Sequence, residues 1–128
     1  MTKPLPAAGL SILTEAIAAR GRQSGSAAIL FDSYGGAINR VSPSATAFVH
    51  RNVLCAMQYL SYNGGSQWLS ETWTKMRPYV SGQAYQNYID ASLPNWQNAY
   101  YGANYARLQQ VRRAVDPDHF FRFPQAIT

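Results

Sequence analysis

Tyr85, Asn87 and Tyr88 stand almost side by side, and Trp96, Tyr100, Tyr101 and Tyr105 follow at near-helical intervals. Phenols and amides so concentrated offer flat apolar surface with a polar tip, the lining expected where an aromatic ligand or cofactor is held. For proton transfer the candidates are Tyr88, Tyr85, His50 and Asp90. A tyrosine serves as a base only where a cation or a flavin ring lowers its pKa from about 10. Nothing beside these tyrosines in the sequence supplies that. Carboxylates are scarce, and none falls between Arg51 and Glu71.

Other chemistries find little to stand on. His50 and His119 are far apart and lack ligand-spaced partners, so no metal site is expected. Tyr34-Gly35-Gly36 is too slight to be a phosphate loop, and no serine-hydrolase signature occurs. Cys55, alone in the run Val53-Leu54-Cys55-Ala56-Met57, reads as a buried small hydrophobe and excludes an internal disulfide.

Bulk properties narrow the class further. A chain of 128 residues, 47% hydrophobic, fits one folded domain. Only 13% of residues are charged, about half the usual share, which suggests that something else covers part of the surface. The net charge is +5, but the cations are dispersed and only Arg112-Arg113 are adjacent, so no nucleic-acid partner is expected. No signal peptide and no membrane-length apolar run is present, and a cytoplasmic location follows as the expectation.

The elements that must position these groups can be read in order. Residues 1–8 form an extended lead-in, and the apolar spacing of Leu10 to Arg20 predicts a helix stopped near Gly21. Ser26 to Asp32 predicts a strand, continued by Ala37 to Val41 past a glycine bulge. Ala45 to His50 and Leu54 to Tyr62 predict a second and a third strand. Ser66 is expected to cap a helix carrying Trp68, Leu69, Trp73 and Met76, loosened at its end by Pro78. Tyr85 to Ile89 reads as extended, and one stripe from Trp96 to Val115 as a single last helix behind a Leu93-Pro94-Asn95 cap. Strands before helices, without alternation, predict an α+β fold: a small antiparallel β-sheet with helices packed on one face.

Several of these stretches, in order, carry a resemblance. Phe31-Asp32-Ser33-Tyr34-Gly35-Gly36-Ala37-Ile38-Asn39-Arg40-Val41, Phe48-Val49-His50-Arg51 and Tyr85-Gln86-Asn87-Tyr88-Ile89-Asp90 are followed by Trp96 with Ala99-Tyr100-Tyr101-Gly102. Asn104-Tyr105-Ala106-Arg107-Leu108, Asp116-Pro117, Phe120-Phe121-Arg122-Phe123 and Gln125-Ala126-Ile127 complete the series. Over residues 26 to 127 this resembles the C-terminal, substrate-side part of berberine-bridge-enzyme-like FAD-linked oxidoreductases. The resemblance implies a domain that caps the flavin ring and walls the substrate. It makes Tyr88 a base beside the flavin, Asn87 a hydrogen-bonding flavin neighbour and Tyr85 a lining residue. Tyr34, Gln58, Tyr85 and Tyr101 are the residues expected at substrate, with Tyr88, Tyr85 and His50 catalytic.

Two departures from the pattern matter. The flavin-binding domain with its attachment histidine and cysteine is missing, and the third strand lacks the acid that some plant members use as base. With Met1 first and a Gln-x-Ile end, the chain reads as a complete short product that binds no FAD alone. The expectation is a stand-alone domain of secondary metabolism working on a small apolar or aromatic natural product, as a flavin-independent cyclase or isomerase. The alternatives are the substrate-side subunit of a split FAD oxidoreductase, with FAD on a flavin-binding partner, and a non-catalytic small-molecule binder. Loss of a large neighbour also predicts a homodimer or such a partner.

Overall fold

The computed structural model describes every residue except Ser24. The chain divides into two units, Met1–Asn39 with Asn52–Ser81, and Arg40–Arg51 with Gly82–Thr128.

In the first unit α1 (Ala7–Gly21) begins directly after Pro6, whose fixed φ suits a helix entry. β1 (Ser26–Ser33) and β2 (Cys55–Tyr62) pair antiparallel in a register running from Ser26 opposite Tyr62 to Ser33 opposite Cys55. α1 packs on β1, and α3 (Ser66–Met76) packs on β2 and on α1. The expected α+β class, with helices against a small antiparallel sheet, is what forms. The core here is apolar: Leu13, Val53, Trp68 and Met76 are buried, and Met76 is 0% exposed. The Trp68 indole N–H donates to Ala16 O at 2.8 Å, so its polar edge is satisfied inside the helix pair. Arg20, also buried, donates to Gln23 Oε1, Ser61 Oγ and Gly64 O at 3.1, 3.4 and 3.3 Å, closing the end of the hairpin.

Successive strand side chains face opposite ways. Ser61, reached by Arg20, shares its face with Met57 and Tyr59, and burial pushes the Tyr59 phenol up to about 12. The other face carries Ala28, Leu30, Asp32, Ala56, Gln58 and Leu60, of which Leu30 and Asp32 are exposed.

Four sequence expectations are corrected. Ala37 to Val41 is no strand; Ala37–Arg40 forms α2, a single turn entered through Gly36 at φ 49, and Asn39 Nδ2 fastens it to Val53 O at 3.0 Å. Left-handed glycine at this point turns the chain out of the sheet. Ala45 to His50 makes no ladder either. Its carbonyl neighbours at Pro43 and Thr46 accept instead from Asn104 Nδ2, at 2.7 and 3.0 Å. Gly65 at φ 95, not Ser66, caps α3, with no side-chain hydrogen bond. The last helix is two: α4 (Trp96–Tyr101) and α5 (Tyr105–Val115), separated by a 3₁₀ turn at Gly102–Asn104. Gly102 at φ 49 and ψ −130 cannot continue an α-helix, and a Cβ there would press on Val49 at 3.4 Å.

The second unit is built from aromatic side chains. Trp96, Tyr100, Tyr101 and Tyr105 of α4 and α5 stand with ring centroids 5.8–6.5 Å apart. Tyr100 is 2% exposed, and its hydroxyl accepts from the Asp90 backbone N–H at 2.8 Å.

Candidate functional site

The segment after Gly82 is a turn, not the extended stretch expected: Tyr88 N–H donates to Tyr85 O at 3.1 Å. That closure brings two phenols onto one side. Asp90 fixes the end of the turn. Its N–H is held by Tyr100, its carbonyl accepts from Gln125 Nε2 at 2.8 Å, and its carboxylate accepts from Ser92 N and Oγ at 2.8 and 2.6 Å. Asp90, one of the proton-transfer candidates of the sequence, is thereby a structural hub of the turn.

On this turn the rings form a continuous edge-to-face run. Tyr88 meets Tyr85 at 5.4 Å, Tyr85 meets Phe48 at 5.9 Å, and Phe48 meets His50 at 5.2 Å, all with interplanar angles above 80°. The Arg51 guanidinium closes the series 4.6 Å from the Phe48 centroid. Asn87 Nδ2 donates to Tyr85 Oη at 2.9 Å. With one lone pair engaged by the amide, the Tyr85 hydroxyl keeps its proton available for donation. Tyr88 ends the run and is 62% exposed, presenting a ring face and a phenol to whatever lies against it.

His50 sits at the inner end, 5% exposed, with Nδ1 3.5 Å from Gln83 Oε1. Burial pushes its pKa below the usual histidine value, partly offset by Gln83 and by the backbone of Ala84 and Tyr100. A buried imidazole kept neutral braces Phe48. Tyr101 belongs to the α4–α5 cluster, and its pKa is raised by burial, then by Tyr100 and Tyr105. The second unit thus gathers Tyr85, Asn87, Tyr88 and His50 and holds Tyr101 among other rings.

Tyr34 and Gln58 lie in the first unit. Tyr34 follows β1, its N–H donating to Leu54 O at 2.7 Å. Gln58 Nε2 donates to Asp32 Oδ2 across the strands at 2.6 Å. Asp32 was passed over as a candidate in the sequence. Only the register reveals it, because Leu30 opposes Gln58 and so sets Asp32 diagonal to the amide. The strand that lacks its own acid has one beside it, charge-assisted and exposed on an otherwise apolar face.

The first unit is an α+β unit with a small antiparallel sheet, and the second carries an aromatic turn packed against Phe48 and His50. Residues 84–128 match the family model for berberine and berberine-like proteins. The chain is 39% identical over 104 residues to the uncharacterized FAD-linked oxidoreductase YvdP of Bacillus subtilis (strain 168), covering 76% of this chain and 23% of that one. The solved BBE-like 1 of Physcomitrella patens superposes with a TM-score of 0.83 at 36% identity, over 97% of this chain and 28% of the other. Berberine bridge enzyme from Eschscholzia californica gives 0.85 at 25% identity, over 99% and 31%. The chain thus carries a berberine-bridge-enzyme-like domain and is similar over most of its own length to part of the FAD-linked oxidoreductases of that family, spanning about a quarter of the length of the curated relatives it matches.

FAD is the cofactor of that family's oxidoreductases. The residues present suit only its ring end: Tyr88 gives a flat exposed face and Asn87 an amide at the same turn. A pyrophosphate needs a cradle of backbone N–H groups at a glycine-rich turn before a helix. Here Gly35-Gly36 leads only into the four-residue α2, and the Gly64-Gly65 turn before α3 is filled by the Arg20 and Ser61 side chains. Among the described residues there is no group of three or more potential metal ligands, and no helix is long and apolar enough to cross a membrane.

Proposed function

We propose that this chain forms the substrate-side wall of an FAD-linked oxidoreductase, acting on a small apolar or aromatic natural product, with the flavin held by a polypeptide segment outside these 128 residues. The observation that carries the reading is the braced run from His50 through Phe48 and Tyr85 to Tyr88, which ends in an exposed phenol. Rigid rings backed by packed neighbours hold a planar ligand with little loss of side-chain entropy. A flavin bound against this turn would supply hydride acceptance. The chain's own residues position the substrate ring against Tyr88, donate from the Tyr85 hydroxyl to a substrate oxygen, and exclude water. Tyr88 would take the substrate proton as its phenolate, and Asn87 keeps Tyr85 pointed.

The partner follows from the surface. Phe120, Phe121 and Phe123 are exposed, Phe120 by 81%, and such a patch asks for cover. The flavin-binding segment, or a second copy in a homodimer, supplies it in the cytoplasm.

Purification and reconstitution test the reading. The chain alone is expected to be colourless and inactive, and to gain oxidase or dehydrogenase activity when joined to a flavin-binding segment of the same family. Tyr88→Phe in that assembly should lower kcat about 10²-fold or more, in line with removal of a positioned base. Unchanged turnover would remove Tyr88 from the chemistry. One observation favours the second reading, a flavin-independent cyclase or isomerase: the Asp32–Gln58 pair places a carboxylate on an apolar face with no cofactor required. A colourless dimer that converts a phenolic or polyene substrate without oxidant would establish that reading and sink the first.

A further inference from the structure

Outside the aromatic turn, the second unit has a cleft of about 190 Å³ lined by Ser44, Ala45, Thr46, Ala47, Asn104, Arg107, Leu108 and Val111. Its two sides differ in chemistry. Leu108 and Val111, one turn apart on α5, line it together with Ala45 and Ala47, giving it an apolar floor. Arg107 supplies a guanidinium at the rim. Among the described residues it forms no hydrogen bond and no ion pair, the ion pair present being Arg112 with Asp116. The opposite rim is held rigid. Asn104 Nδ2 clamps Pro43 O and Thr46 O, and Thr46 Oγ accepts from Arg51 Nη2 at 2.9 Å, so a second cation is anchored on a lining residue. Ser44 adds a hydroxyl, tied to Ser42 Oγ at 3.1 Å.

We infer that this cleft binds a small organic carboxylate, with its apolar body on Leu108 and Val111 and its carboxylate paired with Arg107. A guanidinium presents two parallel donors that match a carboxylate. The volume takes a single ring or a short aliphatic chain and no more. A bare inorganic anion would leave the floor uncovered, and a neutral aromatic would leave Arg107 without a partner. The site belongs to Arg40–Arg51 and Gly82–Thr128 alone and does not depend on flavin.

The probe is sodium benzoate, titrated into the uniformly ¹⁵N-labelled full chain at constant ionic strength, with benzyl alcohol and inorganic phosphate in parallel. Saturable shifts confined to residues 44–47 and 104–111 are expected, with benzoate binding at least tenfold tighter than either control. Arg107→Gln should weaken benzoate at least tenfold while leaving benzyl alcohol unchanged. Ala45→Leu, which fills the floor from an exposed position, should abolish benzoate binding in a chain whose spectrum stays folded. Shifts elsewhere, no saturation, phosphate or benzyl alcohol binding as tightly as benzoate, or benzoate binding untouched by Arg107→Gln would each overturn the site.

Discussion

The two units solve the same problem with different materials. In the first, Leu13, Trp68 and Met76 exclude water by shape, and Trp68 and Arg20 each turn a polar tip to a carbonyl. In the second, the buried anchor is a tyrosine whose hydroxyl holds a backbone N–H, with Tyr101 packed edge to face and Trp96 tilted against it. Apolar packing tolerates small repacking, whereas a ring with a polar tip must keep both its volume and its hydrogen bond. The first arrangement makes a scaffold. The second makes a turn whose rings are held by neighbouring rings and by a buried hydrogen bond.

Single substitutions sharpen that contrast. Met76→Ala removes a side chain with 0% exposure between α3 and its neighbours and should cost about 2–5 kcal/mol by the cavity it opens. Chemical denaturation would measure it. A loss below about 1 kcal/mol would mean that the first unit's core collapses readily and is not shape-specified. Tyr100→Phe keeps the ring and deletes one oxygen, leaving the Asp90 N–H without its acceptor, for about 1–3 kcal/mol. Beyond stability, it should loosen the Tyr85–Asp90 turn, visible as faster amide exchange at Tyr88 and Asp90. Tyr100→Phe with native exchange at both amides would show that the turn does not rest on this hydrogen bond.

How far the sequence showed this differs between the units for the same reason. α1, β1, β2 and α3 were legible because their apolar residues recur at one period and end at glycines or prolines. The stretch from Ala37 to His50 was not. Its alternation imitates a strand, but its Pro43 and Thr46 carbonyls are satisfied by the Asn104 side chain from some sixty residues away, and its own Asn39 amide reaches out to Val53 O. Trp96 to Val115 carries an unbroken stripe, and only the sign of φ at Gly102 splits it. Of the site, the pairing of Tyr85 with Tyr88 could be read from their closeness in sequence. That Phe48 and His50 back them could not, nor could Asp32 beside Gln58, because both depend on contacts made across the fold.

Acid should tell the units apart more gently. Burial lowers the His50 pKa, so as pH falls through about 6.5 the unfolded chain takes up a proton that folded His50 resists. Its stabilising contribution is complete above that value and is lost on acidification toward the lowered folded pKa. Urea unfolding at pH 7.5 and 5.5 should therefore show a loss at the lower pH that shrinks in His50→Gln. An identical loss in that variant would assign the pH dependence to other groups.

The smallest effect is expected on the sheet. Asp32 is exposed, so Asp32→Asn removes charge assistance from its contact with Gln58 and should change stability by only about 0.2–1 kcal/mol. If the open sheet face serves only as scaffold, activity in the assembled oxidoreductase should be as indifferent as stability. If the carboxylate accepts a substrate proton, kcat falls with Asp32→Asn and is restored in part by Asp32→Glu, while the unfolding midpoint stays put. That separation of activity from stability would make the first unit, as well as the aromatic second one, part of the wall.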